Sequence, residues 1–246
     1  MHLLYVEGGA PLVLRRWVFR KPIDEEPELP QREVDALDVA ARSGLPVPHV
    51  VAADPAGTEV GDGVPALLMS RVAGSAVALP DVHRLADAAA AIHAVDAADL
   101  PHDWFPWCVD ALDGPPPSAT DPAVWERALA RRAEGPPSYT PSLVHRDFHP
   151  GNVHWMRGTL AGVVDWSCAC RGPWESDVAT CRGDLRRLGF DDAADKFLRA
   201  YLAATGLTFH PWWDLNRMLE QDPDYWTPEE VARAEPELRR VLQQLS

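Results

Sequence analysis

Leu143-Val144-His145-Arg146-Asp147-Phe148-His149-Pro150-Gly151-Asn152 is the stretch on which the reading of this chain turns. Pro150 and Gly151 follow His149 directly, and both disfavour a helix there, one through its missing N–H and the other through its backbone freedom. The segment therefore reads as a loop between a helix and a hairpin, where a rigid scaffold presents polar groups. The hairpin is expected over 152–156 and 160–164, turning at Arg157-Gly158. Its second strand, with Ala161-Gly162-Val163-Val164, delivers a further carboxylate, Asp165, thirteen residues past Asn152.

His145-Arg146-Asp147 with Asn152 matches H-R-D-x-x-x-x-N, the spacing of a kinase catalytic loop. Phosphoryl transfer from ATP requires a carboxylate to take the acceptor hydroxyl's proton and oxygen ligands to hold Mg²⁺ against the phosphates. Asp147 would accept or orient that proton. Asn152, through its amide oxygen, and Asp165, at its strand end, would bind Mg²⁺. Two carboxylates at 4 Å repel by on the order of 4 kcal/mol at an effective dielectric near 20, and the cation offsets this. Taken singly, each residue is more often a turn cap, a loop contact or a strand end. Their order and spacing together favour the catalytic reading.

The bulk composition excludes several classes. The chain has 246 residues, 46% hydrophobic and 24% charged, ordinary for a globular protein. Its net charge of −14, from 23 basic and 37 acidic residues, argues against nucleic acid or an anionic membrane as the partner. Four cysteines (Cys108, Cys168, Cys170, Cys181) in so long a chain suggest a reduced, cytoplasmic protein. Cys168-Ala-Cys170 lacks the two-residue spacer of common zinc or redox pairs. No secretory signal is visible, and no apolar run approaches the roughly 20 residues of a membrane span.

Working outward, 2–7 and 11–19 read as strands joined at Gly8-Gly9. A Pro- and acid-rich stretch over 21–30 leads to a helix over 31–43, stopped by Gly44 and Pro46. Strands follow near 47–53 and 66–72. From Pro80 the pattern is helical: Asp81 caps an Ala-rich helix to about Ala98, and Asp121 with Pro122 starts another ending near Gly135. The chain from Ser176 onward also reads as helical. No internal repeat stands out.

Residues 143–177 resemble the aminoglycoside phosphotransferase family, small-molecule kinases with the protein-kinase-like fold. The resemblance rests on H-x-D-x-x-x-x-N, the Asp165-Trp166 pair and Gly172-Pro173-Trp174-Glu175-Ser176-Asp177. It implies an α+β, two-lobed fold: a truncated, small antiparallel-sheet N-lobe over 1–72 for nucleotide, and a mainly helical C-lobe over 73–246 for catalysis and substrate. It implies ATP and Mg²⁺ as cofactors and a small-molecule hydroxyl acceptor as partner. By the same resemblance Asp177 supports the catalytic loop, Arg15 stands where a phosphate-binding lysine is expected with Glu33 as its ion-pair partner, and Met69, Ser70 and Val72 lie at the adenine hinge. Arg16 and Arg20 are rivals for the role of Arg15, and Val13 shares its strand face. His93 reads as structural. Relative to the family, the chain begins in what resembles the second strand, so the first strand and the glycine-rich turn are missing from it.

Other chemistries fit less well. Only twelve residues separate Asp165 from Asp177 and no A-P-E follows, so a protein substrate is not expected. His145 and His149 would need a helix to share a metal, which Pro150 opposes. G-x-S-x-G is absent. The ten tryptophans, among them Trp166, Trp174, Trp212, Trp213 and Trp226, suit helix packing more than a substrate wall. Glu175, Asp214, Glu220, Asp222 and Asp224 read equally as amine attractors or solvated faces. Two functions stay open: an ATP-dependent phosphotransferase, and a kinase-fold binding protein without turnover because the glycine-rich loop is absent.

Overall fold

A computed structural model describes residues 1–59, 61–77, 79–107, 112–221 and 223–245. Cys108 and Asp222 lie outside the described residues, as does the side chain of Arg20. The N-terminal strands β1 (His2–Leu4) and β2 (Leu12–Arg16) form the expected antiparallel hairpin, with His2 opposite Leu14. A short helix, α1 (Arg20–Glu25), occupies part of the stretch expected as a connector. Next come α2 (Leu29–Ala40), β3 (Val50–Asp54) and β4 (Ala66–Ser70). The sheet order is β1-β2-β4-β3, all antiparallel.

Beyond β5 (Ser75–Ala76) lie α3 (Val82–His93) and α4 (Pro122–Ala133). The Asp81 side chain accepts from the N–H groups of His83 and Arg84, so α3 starts where the sequence places it. It stops at His93, short of Ala98, where Asp96 turns the chain by accepting the Ala98 N–H at 2.9 Å. Strand β6 (Ser142–Val144) enters the loop that carries Asp147, and β7 (Val153–Met156) and β8 (Thr159–Val163) form the hairpin after it. Arg157 and Gly158 both have positive φ, 52° and 76°, as a type I′ turn requires. Strand β9 (Cys170–Gly172) pairs with β6. The chain closes with α5 (Trp174–Arg187), α6 (Asp191–Thr205), α7 (Trp212–Leu219) and α8 (Pro228–Gln244).

Three apolar clusters hold these elements, the smallest around Ala179, Trp212 and Trp213. The largest runs from Leu37 and Leu67 through Leu85 and Ile92 on α3 to Phe148, Val163 and Trp166, and on to Phe197 and Tyr201 on α6. The second joins Trp125 on α4 to Leu215 on α7 and Leu238 on α8. All five singled-out tryptophans are buried. Trp104 and Trp125 meet Trp213 and Trp226 edge-to-face at 5.4 and 4.8 Å, a packing role. Among the described residues, no helix is long and apolar enough to cross a membrane.

The start of α4 departs from expectation in one respect. Pro122 is in its first turn, but Asp121 makes no capping bond and pairs instead with Arg239 at 3.0 Å. Glu235 on α8 takes the role. It accepts from the Thr120 and Asp121 N–H groups at 2.7 and 3.1 Å, from Trp125 Nε1 at 3.2 Å and from the Thr120 hydroxyl. Burial would raise this carboxyl, but those four donors overcome it and hold it at about 2, below its ordinary 4.5. A depressed carboxyl stabilises the fold fully above its unfolded value. That stability should fade as pH falls from about 4.5 through about 2. Glu235→Ala strands three N–H donors and should lower urea stability by on the order of 3 kcal/mol. An unchanged urea midpoint would show that the donors find other partners.

Candidate active site

The loop over residues 145–152 is built around a buried aspartate that touches no solvent. Asp177, in the first turn of α5, accepts the N–H of His145 on Oδ2 at 2.7 Å and that of Arg146 on Oδ1 at 2.6 Å. His93 Nε2 lies 3.1 Å from Oδ2, and Tyr201 reaches His93 Nδ1 at 2.8 Å, so the carboxylate is held from α3 and α6 as well. With the loop pinned there, Arg146 adopts φ of +66°, uncommon for a residue with a Cβ. Its guanidinium is sandwiched by Phe105 and Trp107, 3.8 and 4.0 Å from the ring centroids. His145 fixes the other side, its Nε2 donating to Val164 O at 2.9 Å and its ring against Trp166.

That frame presents Asp147 half-buried at the loop's edge. Asn152 Nδ2 donates to Asp147 O at 3.0 Å and to Oδ2 at 3.2 Å. His149 Nδ1 accepts the Gly151 N–H at 3.0 Å, which leaves the proton on Nε2, 3.7 Å from Asp147 Oδ2. A Cβ on Gly151 would fall 2.5 Å from the His149 ring, so any larger residue would push that imidazole from its place. Burial pushes the Asp147 carboxyl up, but bonding to His149, the nearby His145 and Asn152 hold it below the usual carboxylate range. The contact with Asp147 in turn raises His149.

Asp165 is brought to the same place by the hairpin. Val153 pairs with Val163, and the Val164 N–H donates to Asn152 O at 2.9 Å, so residues 152 and 164 face each other at the hairpin's base. Gly162 lets β8 press against the carbonyl of Pro46, where a Cβ would fall 2.5 Å from that oxygen. Asp165 itself takes φ of +66°. Two of the three non-glycine residues with positive φ among the described residues thus flank this constellation, as strained backbone does at functional sites.

Arg15 donates to Glu33 at 3.0 Å and to Asp165 Oδ1 at 2.6 Å, while Ser167 adds a bond to the same oxygen at 3.0 Å. Its rival Arg16 points to the opposite face of β2 and pairs with Asp62. Glu33 is buried, which raises its carboxyl to about 7 against the opposing pull of Arg15. Met69 is buried in the core. The Ser70 N–H donates to His49 O at 2.9 Å and its hydroxyl accepts the His49 N–H at 2.8 Å, so that N–H is already engaged. Val72 lies beside Gly162, close enough that a Cβ there would meet it.

The donor set suits Mg²⁺. The amide nitrogen of Asn152 is engaged by Asp147, so its Oδ1 is the atom left to bind a cation, and Asp165 Oδ2 makes no hydrogen bond among the described residues. One amide oxygen plus carboxylate oxygens, completed by water and phosphate, is the coordination Mg²⁺ accepts. Among the described residues no three or more His, Cys, Asp or Glu side chains cluster to hold a metal ion by themselves, so a cation here would rest on Asn152 and Asp165 with water and phosphate. Cys168 and Cys170 are free thiols raised to about 12 by burial.

Sequence reasoning missed Ser167, His149 as the partner of Asp147, and Asp184, which lies 3.6 Å from His149 Nδ1. Asp184 sits seven residues after Asp177, two turns along one helix face, and that spacing was a usable signal. Nothing in the sequence marks Ser167.

Comparison with known proteins places the chain among phosphotransferases. Homoserine kinase of Azorhizobium caulinodans is 31% identical over 58 residues, 24% of this chain and 18% of that enzyme. The crystal structure of aminoglycoside phosphotransferase APH(4)-Ia superposes with a TM-score of 0.67 at 20% identity, over 99% of this chain and 89% of that one. The Streptomyces rimosus aminoglycoside phosphotransferase APH(3'')-Id, solved with ADP and streptomycin, gives 0.55 at 18% identity over 90% and 89% of the two chains. Macrolide 2'-phosphotransferase type I gives 0.58 at 20% identity over 96% and 86%. The shared architecture is the protein-kinase-like fold of these phosphotransferases. The sequence profile of the phosphotransferase enzyme family matches residues 4–239, and the chain belongs to that family.

Proposed function

We propose that the chain is an ATP-dependent kinase of a small molecule, transferring the γ-phosphoryl group to a hydroxyl of its acceptor. The observation that carries this reading is the convergence of Asp147, Asn152 and Asp165 on the base of one hairpin, with Asp147 and Asn152 hydrogen-bonded at 3.2 Å. Asp147 orients the acceptor hydroxyl and takes its proton as the new P–O bond forms. Asn152 and Asp165 hold Mg²⁺, which when bound neutralises charge on the phosphates. Arg15, positioned by Glu33, offers its guanidinium to the phosphates. The 69–72 segment receives the adenine through backbone groups other than the Ser70 N–H, which His49 holds. The aminoglycoside and macrolide phosphotransferases among its structural relatives support a small-molecule acceptor, and free thiols suit a cytoplasmic setting.

ATP with Mg²⁺ should raise the unfolding temperature. A ligand at a hundred times its Kd adds about 2.7 kcal/mol, worth several degrees in a protein of this size. Labelled ATP with a panel of hydroxyl acceptors then reads transfer directly. A flat thermal response up to millimolar nucleotide would instead favour a binding protein without turnover.

A further inference from the structure

A cavity of about 730 Å³ opens between α5, α7 and α8. Asp184 on its wall lies 3.6 Å from His149, itself 3.7 Å from Asp147, so the cavity adjoins the catalytic loop. Met218 and Trp226 give it apolar surface. Its charges are nearly all matched. Arg186 pairs with Asp195 and Glu237 at 2.9 and 3.2 Å, Arg233 with Glu230 at 3.0 Å, Arg187 with Asp184, and Asp214 with Arg182.

Arg217 and the exposed Asp191 are the exceptions, and of the two only Arg217 is part-buried. Among the described residues its guanidinium donates no hydrogen bond and makes no ion pair, and its Nε is buried without a partner. Glu220, which feels its charge, turns its Oε1 to the Trp107 N–H at 2.6 Å. Asp191, also on the wall, is exposed to solvent at the start of α6. The stem of Arg217 crosses α5 at Gly183, where a Cβ would already touch its Cγ at 3.7 Å and a longer side chain would displace it. A half-buried guanidinium with an unsatisfied N–H calls for an anionic partner. Its planar fork matches a carboxylate or phosphate with two parallel hydrogen bonds.

We propose that this cavity receives the acceptor and that Arg217 anchors an anionic group on it, so the substrate is a hydroxyl compound carrying a carboxylate or a phosphate. This rests on the phosphotransferase reading above. It sets the acceptor apart from polycationic aminoglycosides, which an unpaired arginine repels.

The test follows the side-chain Nε–H resonance of Arg217 in ¹⁵N-labelled protein, assigned through Arg217→Lys. The probes are L-homoserine, glucose 6-phosphate, glycerol and hygromycin B. One of the two anion-bearing probes should shift the resonance saturably, and which one does so distinguishes carboxylate from phosphate. Arg217→Gln should weaken that probe's Kd on the order of 10- to 100-fold, the worth of a charge-assisted hydrogen bond. Should Arg217→Gln fail to fold, Arg217→Lys keeps the charge but loses the fork, and should weaken binding too. A resonance unmoved by both anions, moved by hygromycin B alone, or an anion Kd unaltered by substitution overturns the anchor. The ATP–Mg²⁺ thermal shift on the same sample separates the two levels. A nucleotide response without an anion response sinks the anchor alone, and the reverse sinks the kinase reading while leaving an anion site.

Discussion

Asp147→Asn should reduce phosphoryl transfer by about 10²- to 10⁴-fold, the usual worth of a positioned proton acceptor. The fold should not suffer, because an asparagine carbonyl at 147 still accepts from Asn152 Nδ2, now 3.2 Å from Asp147 Oδ2. The loss should therefore fall on kcat while ATP with Mg²⁺ still shifts the unfolding temperature. The direction of the Asp147 shift sharpens the expectation. A carboxyl held below the usual range by His149, His145 and Asn152 is a feeble base in the ground state. It can orient an alcohol and receive the proton only as the O–P bond forms, which is what a loose phosphoryl-transfer transition state asks. It also stays ionised at any pH above its ordinary value near 4, so the rate should show no limb from Asp147 near neutrality. Undiminished transfer to a true acceptor by the Asn variant would remove Asp147 from the reaction.

What the sequence revealed was local. The hairpin after Asn152 was readable because Gly158 supplies a positive φ at no cost between two apolar strands, although Arg157 must take one as well. Helix α3 was readable because its cap, Asp81, adjoins it. Period-two alternation placed Arg15 and Arg16 on opposite faces of β2, but which face meets Glu33 depends on how the sheet packs against α2. The cap of α4 was unreadable because Glu235 lies over a hundred residues from Thr120, and a Glu inside an amphipathic helix looks like any solvated one. The same holds for Asp214, which is buried against Arg182 rather than solvated. Arg217 was invisible for the converse reason: a lack of partners is a property of the packed molecule.

The second large effect should come from a residue that meets neither nucleotide nor acceptor. Asp177→Asn turns one of two carboxylate oxygens into an NH₂ group. Both oxygens face backbone N–H donors, at 2.6 and 2.7 Å, and one also faces His93. Either orientation of the amide sets donor against donor in a site without solvent, at a cost on the order of 2–4 kcal/mol. Urea unfolding should read this as a lower midpoint. Amide exchange should show lost protection at His145 and Arg146 before the global transition. Activity should fall in the folded fraction as well, on the order of 10- to 100-fold, because Arg146 keeps its positive φ only while its N–H is held, and Asp147 follows it directly in the chain. Stability loss alone would mean that Asp177 is merely a core contact. Loss of kcat in protein still fully folded would mean that the clamp sets the aim of Asp147. Wild-type exchange at residues 145 and 146 in the variant would refute the clamp itself.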